Sequence, residues 1–182
     1  MILGLSGKKR CGKSTLARLL HEKYNWFRGD LSKPITLMGI TLLRYQNVSE
    51  KRIQHIIGAG RDTEIVPELG WKTFRWFQQT IGTDWGRMLM HTDLWTNAFI
   101  NADGLKHANI VMENIRFQSE VEILRSFGGI IIRIIRHTDD DNDKHVSEQE
   151  LEEIVPDHIF HNNGTPYQML KCIEDYFDLH IK

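Results

Sequence analysis

The sequence has little cysteine: two in 182 residues, Cys11 and Cys172, far apart and in no CxxC pair. That scarcity excludes a disulfide framework and a thiolate zinc site, and it fits a reducing compartment. Cys11, with basic neighbours, is readable as a reactive thiol or as a small residue that fits its loop. An excess of either charge is also missing. With 23 basic and 24 acidic residues the formal net charge is -1, so neither polymeric nucleic acid nor an anionic membrane is expected as the main partner. No apolar run approaches the length of a membrane span, and the N-terminus lacks the charged and apolar regions of a signal peptide. The expectation is a soluble cytoplasmic protein. Its hydrophobic content of 41% suffices for one ordinary core, a single domain over 1–182.

What is present begins at once. The apolar run Met1 to Leu5 reads as a short buried strand, and it breaks into Gly7-x-x-x-x-Gly12-Lys13-Ser14 ahead of an apolar-periodic helix. Strand, loop and helix stand where a P-loop requires them. Glycines let successive N–H groups face inward as a concave nest for phosphate oxygens, and the helix starting at Ser14 and Thr15 adds its N-terminal dipole. In this motif Lys13 reaches the β- and γ-phosphates and the Ser14 hydroxyl ligates Mg²⁺.

Along the rest of the chain, strand and helix patterns alternate. Thr15 to Tyr24 carries Leu16, Leu19, Leu20 and Tyr24 at helical spacing. Asn25 to Asp30 reads as a second strand. Ser32 with Pro34 reads as a capped helix start running to about Tyr45, and Ser49 as the cap of a helix through Ile57. Phe74, Phe77 and Ile81 recur at core spacing. Gly82-Thr83-Asp84-Trp85-Gly86-Arg87 reads as a glycine-punctuated turn that either displays Thr83, Asp84, Trp85 and Arg87 to a ligand or is purely structural. Asp93 is placed to cap a helix from Leu94 to about Asn101. His107 to Phe117 reads as a strand ending in polar groups, Phe117 to Phe127 as a helix, and Gly128 to Arg136 as a β-branched strand. In an open parallel sheet, Gly7, Glu113, Arg116 and Arg136 should converge beyond the strands' carboxyl ends.

The acidic stretch from Thr138 reads as a solvated flap rather than a calcium loop, because Lys144 stands where the loop's sharp turn needs glycine. Ser147 and Glu150 form a capping box, which leaves His145 and Glu148 without a role. Asp157 to His161 reads as a last strand, placing His158 and His161 on opposite faces, and Asn162 to Thr165 as the turn into a final helix. The fold class expected is α/β, a doubly wound parallel sheet of about five strands with a P-loop, a helical acceptor-binding insertion over about 31–105 and a mobile lid over about 137–153.

Several short motifs in this order resemble the bacteriophage deoxynucleoside monophosphate kinases: Asp30-Leu-Ser-Lys33-Pro34, Gln79-x-x-Gly82-Thr83-Asp84-x-x-Arg87, Asp93-Leu94-Trp95 and Asn114-Ile-Arg116-Phe-x-x-Glu120. With the P-loop and the Asn162 to Thr165 turn, the resemblance covers most of the chain. It implies transfer of the ATP γ-phosphoryl group to a deoxynucleoside monophosphate, small nucleotides as the ligands, and the host cytoplasm as the location if the protein is phage-encoded. It implies that Gly7, Gly12, Lys13, Ser14 and Thr15 hold ATP and Mg²⁺, with Asn162, Gly164 and Thr165 on the adenine side. Lys33, Thr83, Asp84, Arg87, Trp95 and Arg116 would face the acceptor. Arg136 would belong to the lid, and Lys13, Arg116 and Arg136 would be catalytic. One departure concerns the metal: Asn114 stands where the family usually has aspartate, leaving Glu113 as the acidic candidate, directly or through water.

These residue types suit phosphoryl transfer. The acceptor phosphate is already a nucleophile, so dense positive charge and positioning matter more than a base, and arginine's planar fork binds phosphate through paired hydrogen bonds. Trp85 or Trp95 offers a face on which a base can stack. Two alternatives stay open: a P-loop kinase for another small phosphate acceptor, and a regulatory switch that hydrolyses GTP, although no Asn-Lys-x-Asp element is present to read guanine. The sequence leaves a homodimer open.

Overall fold

All five residues of β1 (Ile2–Ser6) are buried, as expected of a strand covered on both faces of a parallel sheet. In this computed structural model, which describes residues 1–136, 151 and 153–178, β1 lies at the centre of five strands in the order β2-β3-β1-β4-β5. The others are β2 (Phe27–Gly29), β3 (Ile110–Met112), β4 (Gly129–Ile135) and β5 (His158–His161). Every pairing is parallel. Gly4 sits opposite Met112 on one side and Ile131 on the other, and Ile135 sits opposite His161. One edge of the sheet therefore collects every carboxyl end, and the expected α/β architecture is present.

This sheet belongs to the first of two compact units, Met1–Asp30 with Phe99–Lys182. Its apolar pattern has period two. Leu3 and Leu5 of β1, with Val111, Ile132 and Ile134, pack on Leu16, Ala17 and Leu20 of α1 (Lys13–Tyr24) and on Met169, Leu170 and Ile173 of α7 (Pro166–Phe177). Each fully buried leucine contributes about 1.5–3 kcal/mol. The helix α6 (Gln118–Ser126) is also in this unit and buries Val121 and Leu124. Lys23 and Tyr24 tie α1 to α7 by donating to Glu174 at 2.8 and 2.6 Å. Burial raises that carboxyl's pKa, and the two hydrogen bonds together with the charges of Lys23 and Lys171 more than reverse it, leaving it below the ordinary value.

The second unit, Leu31–Ala98, is helical: α2 (Lys33–Tyr45), α3 (Glu50–Ile57) and α4 (Phe74–Gln79) surround Leu43, Ile53, Ile56, Val66, Leu69 and Phe74. Ser49 caps α3, accepting from the Arg52 N–H at 3.4 Å. Ser32 does not cap α2 with its side chain. Its backbone is already helical, at φ -86° and ψ -5°, so the hydroxyl makes no capping bond.

The hexapeptide expected as a turn is instead helical. Thr80–Met90 continues α4 as a π-helical segment, its last turn closed by the His91 N–H on the Gly86 carbonyl at 2.9 Å. Its glycines serve packing rather than reversal. A Cβ on Gly86 would lie 2.5 Å from the Trp95 indole, and that indole's Nε1 donates to the Gly82 carbonyl at 2.8 Å. The helix beginning at Leu94 is α-helical over α5 (Leu94–Phe99) and continues as a π-helical Ile100–Gly104, a little past the expected end near Asn101. The strand expected over His107 to Phe117 keeps ladder geometry only at Ile110–Met112.

Candidate functional site: the phosphate-binding loop

Gly7 and Gly12 frame the loop with φ of 136° and 111°, values that side-chain-bearing residues rarely adopt. Four of the loop's carbonyls, those of Gly7, Lys8, Cys11 and Gly12, are turned toward protein donors. The Lys13 ammonium donates to Gly7 O at 2.6 Å and Lys8 O at 2.8 Å. The Cys11 N–H returns to Lys8 O at 3.3 Å. Asn162 Nδ2 donates to Cys11 O at 2.8 Å, and the Leu16 N–H takes Gly12 O at 3.0 Å. Helix geometry leaves the first-turn amides of α1 without intrahelical acceptors, so this end of the helix carries the polarity that favours an anion.

Lys13 is 7% exposed, Ser14 is exposed and Thr15 half-buried on the first turn of α1. Cys11 is buried, its Sγ 3.6 Å from the Lys13 ammonium. Beside the loop a cavity of about 340 Å³ is lined by Gly7, Lys8, Cys11, Arg133, Ile134, Ile135, Arg136 and Leu151. Gly7 and Arg136 thus share a cavity wall, as adjacent strand ends should. Glu113 and Arg116 are not among its lining residues.

Glu113 follows β3 and faces Arg28 of β2, whose Nε donates to it at 2.6 Å. Any role toward a metal requires that ion pair to open or to be shared. Arg116 lies two residues before α6, half-buried, and its backbone is held by a side chain outside the expected site. The buried Glu120 carboxylate accepts from the N–H groups of Arg116 at 2.9 Å and Phe117 at 3.2 Å. A glutamate at the third helical position was the available signal. Arg133 was missed as well; one of its terminal nitrogens donates to Leu151 O and Ile154 O at 2.7 and 2.6 Å.

At the carboxyl end of β5, Asn162 is turned inward onto the loop. Thr165 caps α7, accepting from the Gln168 N–H at 3.3 Å while its own N–H donates to Gln168 Oε1 at 2.8 Å. Gly164 lies against the same glutamine, whose Oε1 would be 2.4 Å from an added Cβ.

In the helical unit, Lys33 is exposed at the start of α2, Asp84 is exposed, and Thr83 and Arg87 are buried. Trp95 is 7% exposed and built into the packing, whereas Trp85, its ring 6.3 Å away, is 36% exposed. Of the two tryptophans expected as stacking faces, Trp85 is the accessible one. The lid expected at about 137–153, with His145, Ser147, Glu148 and Glu150, lies outside the described residues except for Leu151 and Glu153. Among the described residues no group of three or more His, Cys, Asp or Glu side chains is arranged to hold a metal, and no helix is long and apolar enough to cross a membrane.

Two solved structures are similar to this chain. A shikimate kinase from Aquifex aeolicus is 15% identical with a TM-score of 0.47, covering 98% of this chain and 96% of its own. A dephospho-CoA kinase from Campylobacter jejuni is 12% identical with a TM-score of 0.47 and the same coverage, 98% and 96%. In sequence, a protein of Acanthamoeba polyphaga mimivirus, provisionally described as a deoxynucleotide monophosphate kinase, is 26% identical over 96% of this chain and 97% of its own length. Residues 36–173 match the family model described as deoxynucleotide monophosphate kinase, and the chain belongs to that kinase family.

Proposed function

We propose that this kinase transfers the γ-phosphoryl group of ATP to a deoxynucleoside 5'-monophosphate, giving ADP and the diphosphate. The observation that carries the reading is the family match over residues 36–173. The P-loop at Gly7 to Thr15 lies outside that range, so two separate stretches of sequence support one reaction.

The loop and the first turn of α1 bind the donor's phosphates, and Lys13 neutralises charge between the β- and γ-phosphates. Mg²⁺ fits the Ser14 hydroxyl, an exposed oxygen on that turn. Magnesium commonly takes one or two protein oxygens and completes its shell with phosphates and water. When bound it supplies charge to the phosphate oxygens, with Glu113 as a further donor, directly or through water.

Arg116 binds the acceptor phosphate, and Glu120 fixes the backbone from which that arginine projects. Lys33, Thr83, Asp84 and Arg87 contribute acceptor contacts, and Arg136 adds positive charge beside Gly7. No residue need remove a proton, because the acceptor phosphate attacks as an anion.

An ADP-release assay across deoxynucleoside monophosphates, ribonucleoside monophosphates and unrelated metabolites tests the reading. Turnover on at least one deoxynucleotide is expected. Turnover on another metabolite alone, or tight GTP binding without transfer, would reject it. Within the reading, Arg116→Lys replaces a bidentate fork with a point charge, so acceptor KM should rise about tenfold or more with little change in donor KM. Unchanged acceptor kinetics would make Arg116 structural.

A further inference from the structure

We infer that Asn162 is a positioning residue for the phosphate-binding loop: it sets the orientation of the peptide between Cys11 and Gly12 and does not read the nucleotide base. The inference rests on the reading of Gly7 to Thr15 as the phosphate site. Asn162 directly follows β5, and its N–H donates to Ile135 O at 2.7 Å, so its backbone extends the ladder with β4. From that fixed point the side chain, 5% exposed, donates Nδ2 to Cys11 O at 2.8 Å across 151 residues of sequence.

A trans peptide is planar, with its carbonyl and N–H on opposite sides. Holding Cys11 O toward Asn162 therefore holds the Gly12 N–H in the opposite direction, and that amide belongs to the nest. Space is matched as well as hydrogen bonding. A Cβ on Gly12 would lie 2.6 Å from Asn162 Nδ2 and 3.4 Å from the Met169 Cε, so the glycine leaves the volume that the amide fills. That amide is closed off from a base by burial: the side chain is 5% exposed, one Nδ2 hydrogen is on the loop, and Oδ1 is closed to solvent and has no partner among the described residues.

The experiment compares ATP with inorganic tripolyphosphate, which has no base. Both are titrated with Mg²⁺ by calorimetry against the full-length wild type, Asn162→Ala, Asn162→Asp and Lys13→Ala, with melting curves to establish folding. Both Asn162 variants should lose about tenfold in affinity, by the same factor for the two ligands. In the free protein, Asn162→Ala should also speed amide exchange across residues 7–12. If the aspartate variant does not fold, the alanine variant carries both measurements. Loss for ATP with tripolyphosphate unchanged would make Asn162 a base contact and overturn the inference. Unchanged affinity and exchange in a folded variant would reduce it to a packing residue. The phosphate-site reading fails separately, if Lys13→Ala binds tripolyphosphate as the wild type does.

Discussion

Lys13→Ala is expected to lower kcat by about 10³-fold in a protein that still folds. Phosphoryl transfer passes through a loose transition state with charge spread over the moving group, so a preorganised cation does most of what a protein can do. Loss of one such donor commonly costs 10²–10³-fold. In the free structure the same ammonium holds Gly7 O and Lys8 O at 2.6 and 2.8 Å, so the variant loses a tether as well as a charge. A hydrogen bond from a charged group contributes about 1.5–3 kcal/mol, and water reaching the opened loop offsets part of that. The melting temperature should therefore fall by a few degrees, and ATP should no longer raise it. Paired measurements of kcat and of melting with and without Mg²⁺-ATP check both halves. Near-normal turnover in a folded Lys13→Ala variant would remove the P-loop from the mechanism.

The wild-type tether gives this prediction its shape. Before nucleotide arrives, Lys13 spends its charge on carbonyls that would otherwise repel a phosphate. In the proposed reaction the ammonium would exchange these carbonyl oxygens for phosphate oxygens, and the loop carbonyls would then need another partner. Asn162 already holds one of them, at Cys11. The two side chains thus divide the loop carbonyls between them, Lys13 holding those of Gly7 and Lys8 and Asn162 that of Cys11.

What could be read in the sequence follows from where the determining interactions lie. The P-loop was legible because its requirements are contiguous: an apolar strand, two glycines at positive φ and a helix start occur within fifteen residues. The buried pattern of β1 was legible for the same reason. The Gly82 to Arg87 segment was misread because a glycine pair marks a turn or a close helix contact equally well, and only the Trp95 indole packed on Gly86 decides between them. Glu113 reads in the sequence as the acidic candidate for the metal at a strand end. Its pairing with Arg28 depends on β2 lying beside β3, a neighbour relation that no local pattern encodes. Asn162 was legible as a turn residue but not as a brace, since its partner is 151 residues away. Glu120 is the instructive miss, because its spacing from Phe117 was a local signal for the contact that fixes the Arg116 backbone.

Gly7→Ala should be the most damaging single methyl group in the loop. At φ 136° an alanine is strained, at about 1–3 kcal/mol. Its Cβ would also lie 2.3 Å from Ile134 O and 2.9 Å from Cys11 Sγ. The first contact is with backbone of β4, whose neighbour Arg133 pairs with Ser6 in the central ladder, so the carbonyl cannot step aside without disturbing the sheet. Overpacking of this kind adds about 1–3 kcal/mol. Gly128→Ala separates the two causes: Gly128 also has a positive φ, 74°, but no atom lies within 4 Å of its added Cβ. That variant should lose only the conformational share, about 1–2 kcal/mol, and should bind Mg²⁺-ATP normally. Urea unfolding should place Gly7→Ala well below it, and calorimetry should find nucleotide binding weakened by about 100-fold or more, since a displaced loop no longer presents its amides together. Equal stability losses in the two variants would mean that Ile134 yields, and normal ATP affinity in a folded Gly7→Ala protein would mean that the nest does not depend on this close approach.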